Sequence, residues 1–201
     1  VAQEPVDPHL LAQLLEVDNA GPAETPWVAL DHEGNGVAVW NQSDGTRDNL
    51  WASEFRVDAC WGAAAPIESN NAGGTDSPYV AFDPGFGVGV AAWAQSDGTR
   101  LNIWASHFGA DWAAPVLLEQ VDQIAAEPRV ALDAAGNVLA VWTQSDGARL
   151  NVYSNFYVVG AGWGTPILVE ANDAGSTVGA RVAFDEDGNA TAVWSQSDGM
   201  R

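Results

Sequence analysis

The stretch Trp40-Asn41-Gln42-Ser43-Asp44-Gly45-Thr46-Arg47 decides how this chain folds, because it recurs as Trp93 to Arg100, Trp142 to Arg149 and Trp194 to Arg201. Each copy reads Trp-x-Gln-Ser-Asp-Gly-x-Arg, at spacings of 53, 49 and 52 residues. Working outward, three copies continue with an Asn and an aromatic: Asn49 and Trp51, Asn102 and Trp104, Asn151 and Tyr153. A second Trp follows (Trp61, Trp112, Trp163), and then a Glu (Glu68, Glu119, Glu170). A fixed period of this length defines an architecture before any local pattern does.

The fourth copy stops at Arg201, and the first residues of the chain carry what it lacks. Glu16 matches the repeated Glu, His9 takes the second-Trp slot and Val1 the first aromatic slot. Within a repeat the apolar alternation has period two. Trp27 to Asp31, Gly36 to Trp40, Asn49 to Phe55 and Ala65 to Glu68 are short, β-branched or aromatic, and bounded by Gly, Asn and Asp, which reads as four strands. His9 to Glu16 reads as strand in the same register. Asp31 to Asn35, Asp133 to Asn137 and Asp185 to Asn189 read as hairpin turns in which Gly supplies the positive φ.

Four antiparallel strands every 51 residues or so is the pattern of a propeller blade. The expected fold is therefore all-β, a β-propeller of four four-stranded blades in a single domain spanning residues 1–201. The blades fall at about 28–79, 80–129, 130–181, and 182–201 completed by 1–27. Pairing of the N- and C-terminal halves of that last blade is expected to close the ring. Two chains forming one eight-bladed ring is the rival arrangement, since identical units exchange at low cost.

Composition narrows the partners. With 47% hydrophobic residues and ten Trp, the chain has the apolar content for a packed core. With 27 acidic residues against seven Arg, no Lys and a net charge of -20, it lacks the basic footprint that nucleic acid or an anionic membrane surface requires. No segment approaches the roughly 20 apolar residues of a membrane span, so neither nucleic-acid binding nor membrane insertion is expected. The N-terminus has no signal-peptide layout, and any targeting segment is expected to be removed or to lie outside these residues. The single Cys60 cannot form an internal disulfide.

The overall layout resembles bacterial secreted β-propeller repeat proteins. Ser-Asp-Gly-x-Arg-x-Asn-x-Trp is similar in part to the Asp-box turn of sialidase-type propellers, although Arg and Asn intervene here and the spacing differs. The resemblance implies the fold and an extracellular or cell-surface location, and carries no activity across. Neither WD-repeat nor kelch signatures are present.

Four of the seven Arg occupy one repeat position. Either they fix the turn through charge-assisted bonds, or Asp44, Arg47 and Asn49, Asp97, Arg100 and Asn102, and Asp146, Arg149 and Asn151 form equivalent pockets for sugar hydroxyls. Trp61, Trp112 and Trp163 are the candidate stacking platforms, and Trp40, Trp93, Trp142 and Trp194 the candidate core wedges. Asp185, Asp187 and Asn189 place oxygens at alternating positions, as calcium loops do, with a plain hairpin turn as the alternative. His9, His32 and His107 fall at unrelated repeat positions, so symmetry pairs none of them. One slot breaks the repeat: Trp27, Tyr79, Arg129 and Arg181 are equivalent in position yet differ in kind. There the two Arg can line an anion-accepting patch on one side of the ring.

These features lead to the expectation of a non-catalytic, multivalent binding module, lectin-like, taking carbohydrate at repeated inter-blade sites. A structural or protein-protein interaction propeller without a small ligand is the alternative, and a glycan-active hydrolase or lyase the third reading. The expected partner is carbohydrate or another protein, with no cofactor required and calcium the one candidate ion. The expected state is a monomer, or a dimer formed by blade exchange.

Overall fold

The computed structural model describes residues 12–16, 20–69, 71–83, 87–171 and 174–199. Their ordered segments are all strands, in four antiparallel sheets that follow the repeat. The first sheet holds β1 (Ala23–Leu30), β2 (Gly36–Ser43), β3 (Asp48–Arg56), β4 (Cys60–Trp61) and β5 (Ala65–Pro66). The second holds β6 (Thr75–Phe82), β7 (Gly89–Ser96), β8 (Leu101–Phe108) and β9 (Val116–Leu117). The third holds β10 (Ala125–Leu132), β11 (Val138–Ser145), β12 (Leu150–Val158), β13 (Gly162–Trp163) and β14 (Ile167–Leu168), and the fourth β15 (Thr177–Phe184) and β16 (Ala190–Gln196).

Local chemistry sets the turns. In the first hairpin Asp31 Oδ1 accepts from the backbone N–H groups of Glu33 and Asn35, and Asn35 Nδ2 donates to Asp31 Oδ2. Gly34 takes φ +86° there, a conformation that a side chain disfavours. Asp133 with Asn137, and Asp185 with Asn189, repeat the arrangement. The outer strand of each of the first three sheets is shorter than the sequence suggests. It is reduced to two-residue pairings such as Trp51 with Pro66, because Pro offers no N–H and suits an edge, and a short edge resists pairing with another chain.

The sheets pack face to face, and the core lies between them rather than within any one. Between the first and second sheets, Val37, Val39, Leu50, Ala52 and Ile67 meet Val80, Ala91, Trp93 and Phe108. Val90, Ala92, Ile103 and Leu118 meet Val130, Ala140 and Trp142 at the next junction. Val141, Val152 and Val169 meet Ala180, Val182 and Trp194 at the third. Trp93, Trp142 and Trp194 thus wedge between sheets, as expected, whereas Trp40 lies beside residues 14–16, and each junction carries one polar clip. Trp93 Nε1 donates to Gln95 Oε1 (3.1 Å), and Gln95 Nε2 donates to Glu68 Oε2 of the preceding sheet (3.1 Å). Trp142, Gln144 and Glu119 repeat it at 2.9 and 3.0 Å, and Gln196 donates to Glu170 at 3.0 Å.

The expected closure of the ring is not formed among the described residues. β1 packs on β6, β6 on β10 and β10 on β15, with no comparable packing of β15 on β1. β16 has no strand beside it other than β15, and both end sheets keep apolar side chains exposed, Val28 at 57% and Val193 at 59%. Residues 12–16 form no strand; Leu14, Leu15 and Glu16 lie beside Ala38 and Trp40. Val1, His9 and Arg201 fall outside the described residues. The clip gives a direct test of the packing. Replacing Gln144 with Ala leaves the Trp142 indole N–H and one Glu119 oxygen buried without partners, at about 1–3 kcal/mol each. Urea unfolding should read a loss of about 2–5 kcal/mol, and a loss below about 1 kcal/mol would remove the clip from the account of stability.

Candidate functional site

The repeated Asp, Arg and Asn residues come together at one end of each complete sheet, and their bonds are spent there. Asp44 Oδ1 accepts from the N–H groups of Thr46 and Arg47, and Asn49 Nδ2 donates to Asp44 Oδ2 at 3.0 Å. Asp97 with Asn102, and Asp146 with Asn151, are wired identically. The guanidinium of Arg47 reaches Glu68 at 3.5 Å and also Asn71, whereas Arg100 pairs with Asp122 and donates to Asn102 at 3.0 Å. Arg149 stands at the same turn, its backbone N–H bonded to Asp146 at 2.9 Å.

Trp61, Trp112 and Trp163 do not join these groups. Trp61 pairs with Phe55 near the far end of β3, while Asn49 stands near its start. Six residues of strand separate Asn49 from Phe55, about 20 Å. Trp61 packs on Phe55, Trp112 on Phe108, and Trp163 on Tyr157 and His107, with ring centroids 5.2 to 5.7 Å apart. A pocket sharing both sets of residues is therefore not assembled within a sheet. In the Asp185 loop, Oδ1 accepts from the N–H groups of Asp187 and Asn189, and Oδ2 from the Asn189 amide. Both carboxylate oxygens serve the hairpin, and no cluster of three or more His, Cys, Asp or Glu suited to a metal occurs among the described residues.

The residues that break the repeat do converge. β1, β6, β10 and β15 are the strands through which successive sheets meet, and each carries a bulge at the same place. The bulged segments are Thr25-Pro26-Trp27, Ser77-Pro78-Tyr79, Glu127-Pro128-Arg129 and Gly179-Ala180-Arg181. Thr25, Ser77 and Glu127 hold φ of +50°, +50° and +54°, where side chains are disfavoured, and Gly179 holds +67°. A bulge re-aims the next side chain, and here the result is a shared cluster. Trp27 and Tyr79 have ring centroids 4.7 Å apart, and the Arg129 guanidinium lies over both, 5.7 and 5.0 Å from the centroids.

The charge at this cluster is unbalanced. Arg129 Nη1 and Arg181 Nη1 donate to the carbonyls of Pro128 and Ala180, and neither Arg forms an ion pair among the described residues. Arg129 Nε is buried with no hydrogen-bond partner. Burial, then the charge of Arg181, push Arg129 below the usual guanidinium range. Glu127 accepts from the Gly179 N–H at 3.3 Å and so bridges β10 and β15. The slot of Trp27, Tyr79, Arg129 and Arg181 was legible in the sequence as a position where matched repeats differ. Glu127 was not, because nothing local distinguishes it from a surface acid. A cleft of about 830 Å³ lies elsewhere, at the hairpin end between the first two sheets beside His32, Glu54 and Arg56. Its lining carries Asp31, Glu33 and Glu54 against Arg56, an acidic excess that repels an anion.

No protein-family model and no curated protein sequence matches the chain. Solved structures do match. A structure described as a Hadza microbial sialidase, Hz136, aligns at TM-score 0.58 and 13% identity over 80% of this chain and 39% of its own. A protein of unknown function from Dyadobacter fermentans DSM 18053 aligns at 0.65 and 14%, over 90% and 64%. The Penicillium chrysogenum alpha-L-arabinanase complexed with arabinobiose aligns at 0.56 and 12%, over 88% and 59%. The chain thus spans between 39% and 64% of these structures. At such identities the likeness establishes the fold: the all-β arrangement is that of β-propeller proteins. It also overturns the expectation of a non-catalytic protein, because the fold behind that expectation is shared with glycoside hydrolases.

The turn carboxylates give a pH test. Asp44 and Asp97 are held well below the ordinary carboxylate range, first by the hydroxyls of Thr46 and Thr99, and Asp146 is lowered to about 2, first by the Arg149 N–H. Because each folded value is depressed, the stabilisation is present above the unfolded value of 3.8 and is lost as pH falls through the folded values. The melting temperature should therefore hold above about pH 4 and decline steadily toward pH 2. A profile flat through that window would mean that these turns do not hold the blades.

Proposed function

We propose that this chain is a glycan-directed β-propeller whose ligand site is the cluster of Trp27, Tyr79, Arg129 and Arg181, and whose ligand is a sugar bearing a carboxylate. One observation carries the reading. The Arg129 guanidinium lies over the Trp27 and Tyr79 rings, its Nε is buried without a partner, and neither it nor Arg181 forms an ion pair among the described residues of a chain of net charge -20. Glu127 offsets part of the charge of Arg129, and the two Arg still leave a local positive excess for an anion. The aromatic faces supply the second half of the specificity. Trp27 is 42% exposed and offers an apolar surface to the C–H face of a pyranose, while the guanidiniums offer paired donors to a carboxylate.

The sialidase and arabinanase names among the structural neighbours support a glycan as the ligand class. Carbohydrate at the repeated inter-blade turns has less behind it, since the Asp carboxylates there already accept from their own Asn amides and turn N–H groups. Tyr79 and Glu127 flank the guanidiniums and are the groups to examine for turnover, through release of an aryl aglycone from the sugar that binds. The test of the reading is calorimetry with a uronic acid, a sialic acid, their neutral counterparts and inorganic phosphate. The acids should bind and the neutral sugars should not. Arg181→Ala should weaken binding about tenfold or more, the weight of a charge-assisted hydrogen bond. Equal binding of acid and neutral sugar, or an Arg181→Ala variant that binds as the parent does, would refute it, and binding of phosphate alone would replace the sugar with a simple anion.

A further inference from the structure

Three junctions between neighbouring sheets share one construction, and the two end sheets each present half of it. At the equivalent position of the inner strand, Val80 and Val130 are buried by the preceding sheet, at 3% and 2% exposure, while Val28 is 57% exposed. On the opposite face, Val39, Ala92 and Val141 are fully buried by the following sheet, while Val193 is 59% exposed. The first sheet therefore bears an uncovered leading face and the fourth an uncovered trailing face. By the repeat, these are the two sides of one further junction.

The leading face already holds part of what a preceding blade would bring. Leu14, Leu15 and Glu16 line a pocket with Ala23, Pro26, Ala38 and Trp40. Ile67 occupies the corresponding place in the core shared with Trp93, and Glu68 receives the bond from Gln95. So the first sheet carries an outer-strand segment without inner strands beneath it. The fourth sheet has the inner strands β15 and β16 and, among the described residues, no outer strand. Within one chain these halves stand at opposite ends of the row β1, β6, β10, β15 and do not pack on each other.

We infer that the occupant of the leading face is a second copy of this chain, docked head to tail so that β15 and β16 of one copy lie on β1 and under residues 12–16 of the other. The continuity with three junctions of the same build is what selects this partner. Apolar faces that match an interface already formed three times are complementary without redesign, and a blade split between copies is a low-cost exchange. Two such contacts, related by a twofold axis, close one ring from two chains and leave no bare face.

Light scattering after size exclusion, from about 1 to 100 µM, tests this on the full chain with two variants. Val28 and Val193 are exposed, so Val28→Asp and Val193→Asp leave the packing of each chain intact, which far-UV circular dichroism verifies. The parent should run at twice the chain mass. Each variant alone should run as a monomer, because every contact then uses one altered face, with association weakened at least about tenfold. Mixing the variants should restore a one-to-one complex through the single contact that both leave untouched. A parent that stays monomeric at every concentration would overturn the inference in favour of closure within one chain. A dimer that persists in both variants, or a mixture that forms no complex, would overturn it as well.

Discussion

A buried indole N–H is costly without an acceptor, and the way Trp93 and Trp142 find one organises the rest. Trp93 and Trp142 are completely buried, and each donates to a Gln two residues along its own strand. The same Gln turns its amide N–H toward a Glu of the preceding sheet. One side chain thereby serves two buried partners and pins two sheets at a fixed offset. Without the clip, an apolar junction of Val, Ala and Leu would tolerate sliding; with it, a shifted offset would break the Gln bonds to Trp and Glu together. Glu119 carries the cost of this arrangement, since burial pushes its carboxyl above the ordinary range despite the bond from Gln144.

Once the offsets are set, the inner strands come into line and their bulges fall at one level. That alignment turns four separate residues into a cluster. Arg129 extends over Trp27 and Tyr79 from two other sheets, a contact that no single repeat contains. The backbone accepts a disfavoured φ at Thr25, Ser77 and Glu127 in the bulges that aim these side chains. The turn carboxylates work at the opposite scale. Asp44, Asp97 and Asp146 close their own loops, so the most conspicuous polar motif of the sequence serves its own turns, and the irregular slot is where side chains of different sheets meet.

The strands β1 to β3 and their counterparts were legible in the sequence because alternation, Gly and Asp turns and a long period all agree. The turn bonding was legible for the same reason: Asp, Gly and Asn at fixed offsets act through atoms a few residues apart. The distance between Asn49 and Trp61 was not. Few residues lie between them along the chain, yet the extended strand β3 carries them to opposite ends of the sheet.

What the sequence by itself determined is everything that depends on local bonding and on the repeat: the all-β class, the four sheets, the turns and the wedge role of Trp93 and Trp142. Only the tertiary structure decided which residues meet across sheets, that the ring stays open among the described residues, and that Arg129 lies over Trp27 and Tyr79 with no ion pair among the described residues. The physical reason is range. Hydrogen bonds within a turn are encoded in neighbours along the chain, whereas the contacts at the cluster join β1, β6, β10 and β15, and their distances are set by how three junctions stack.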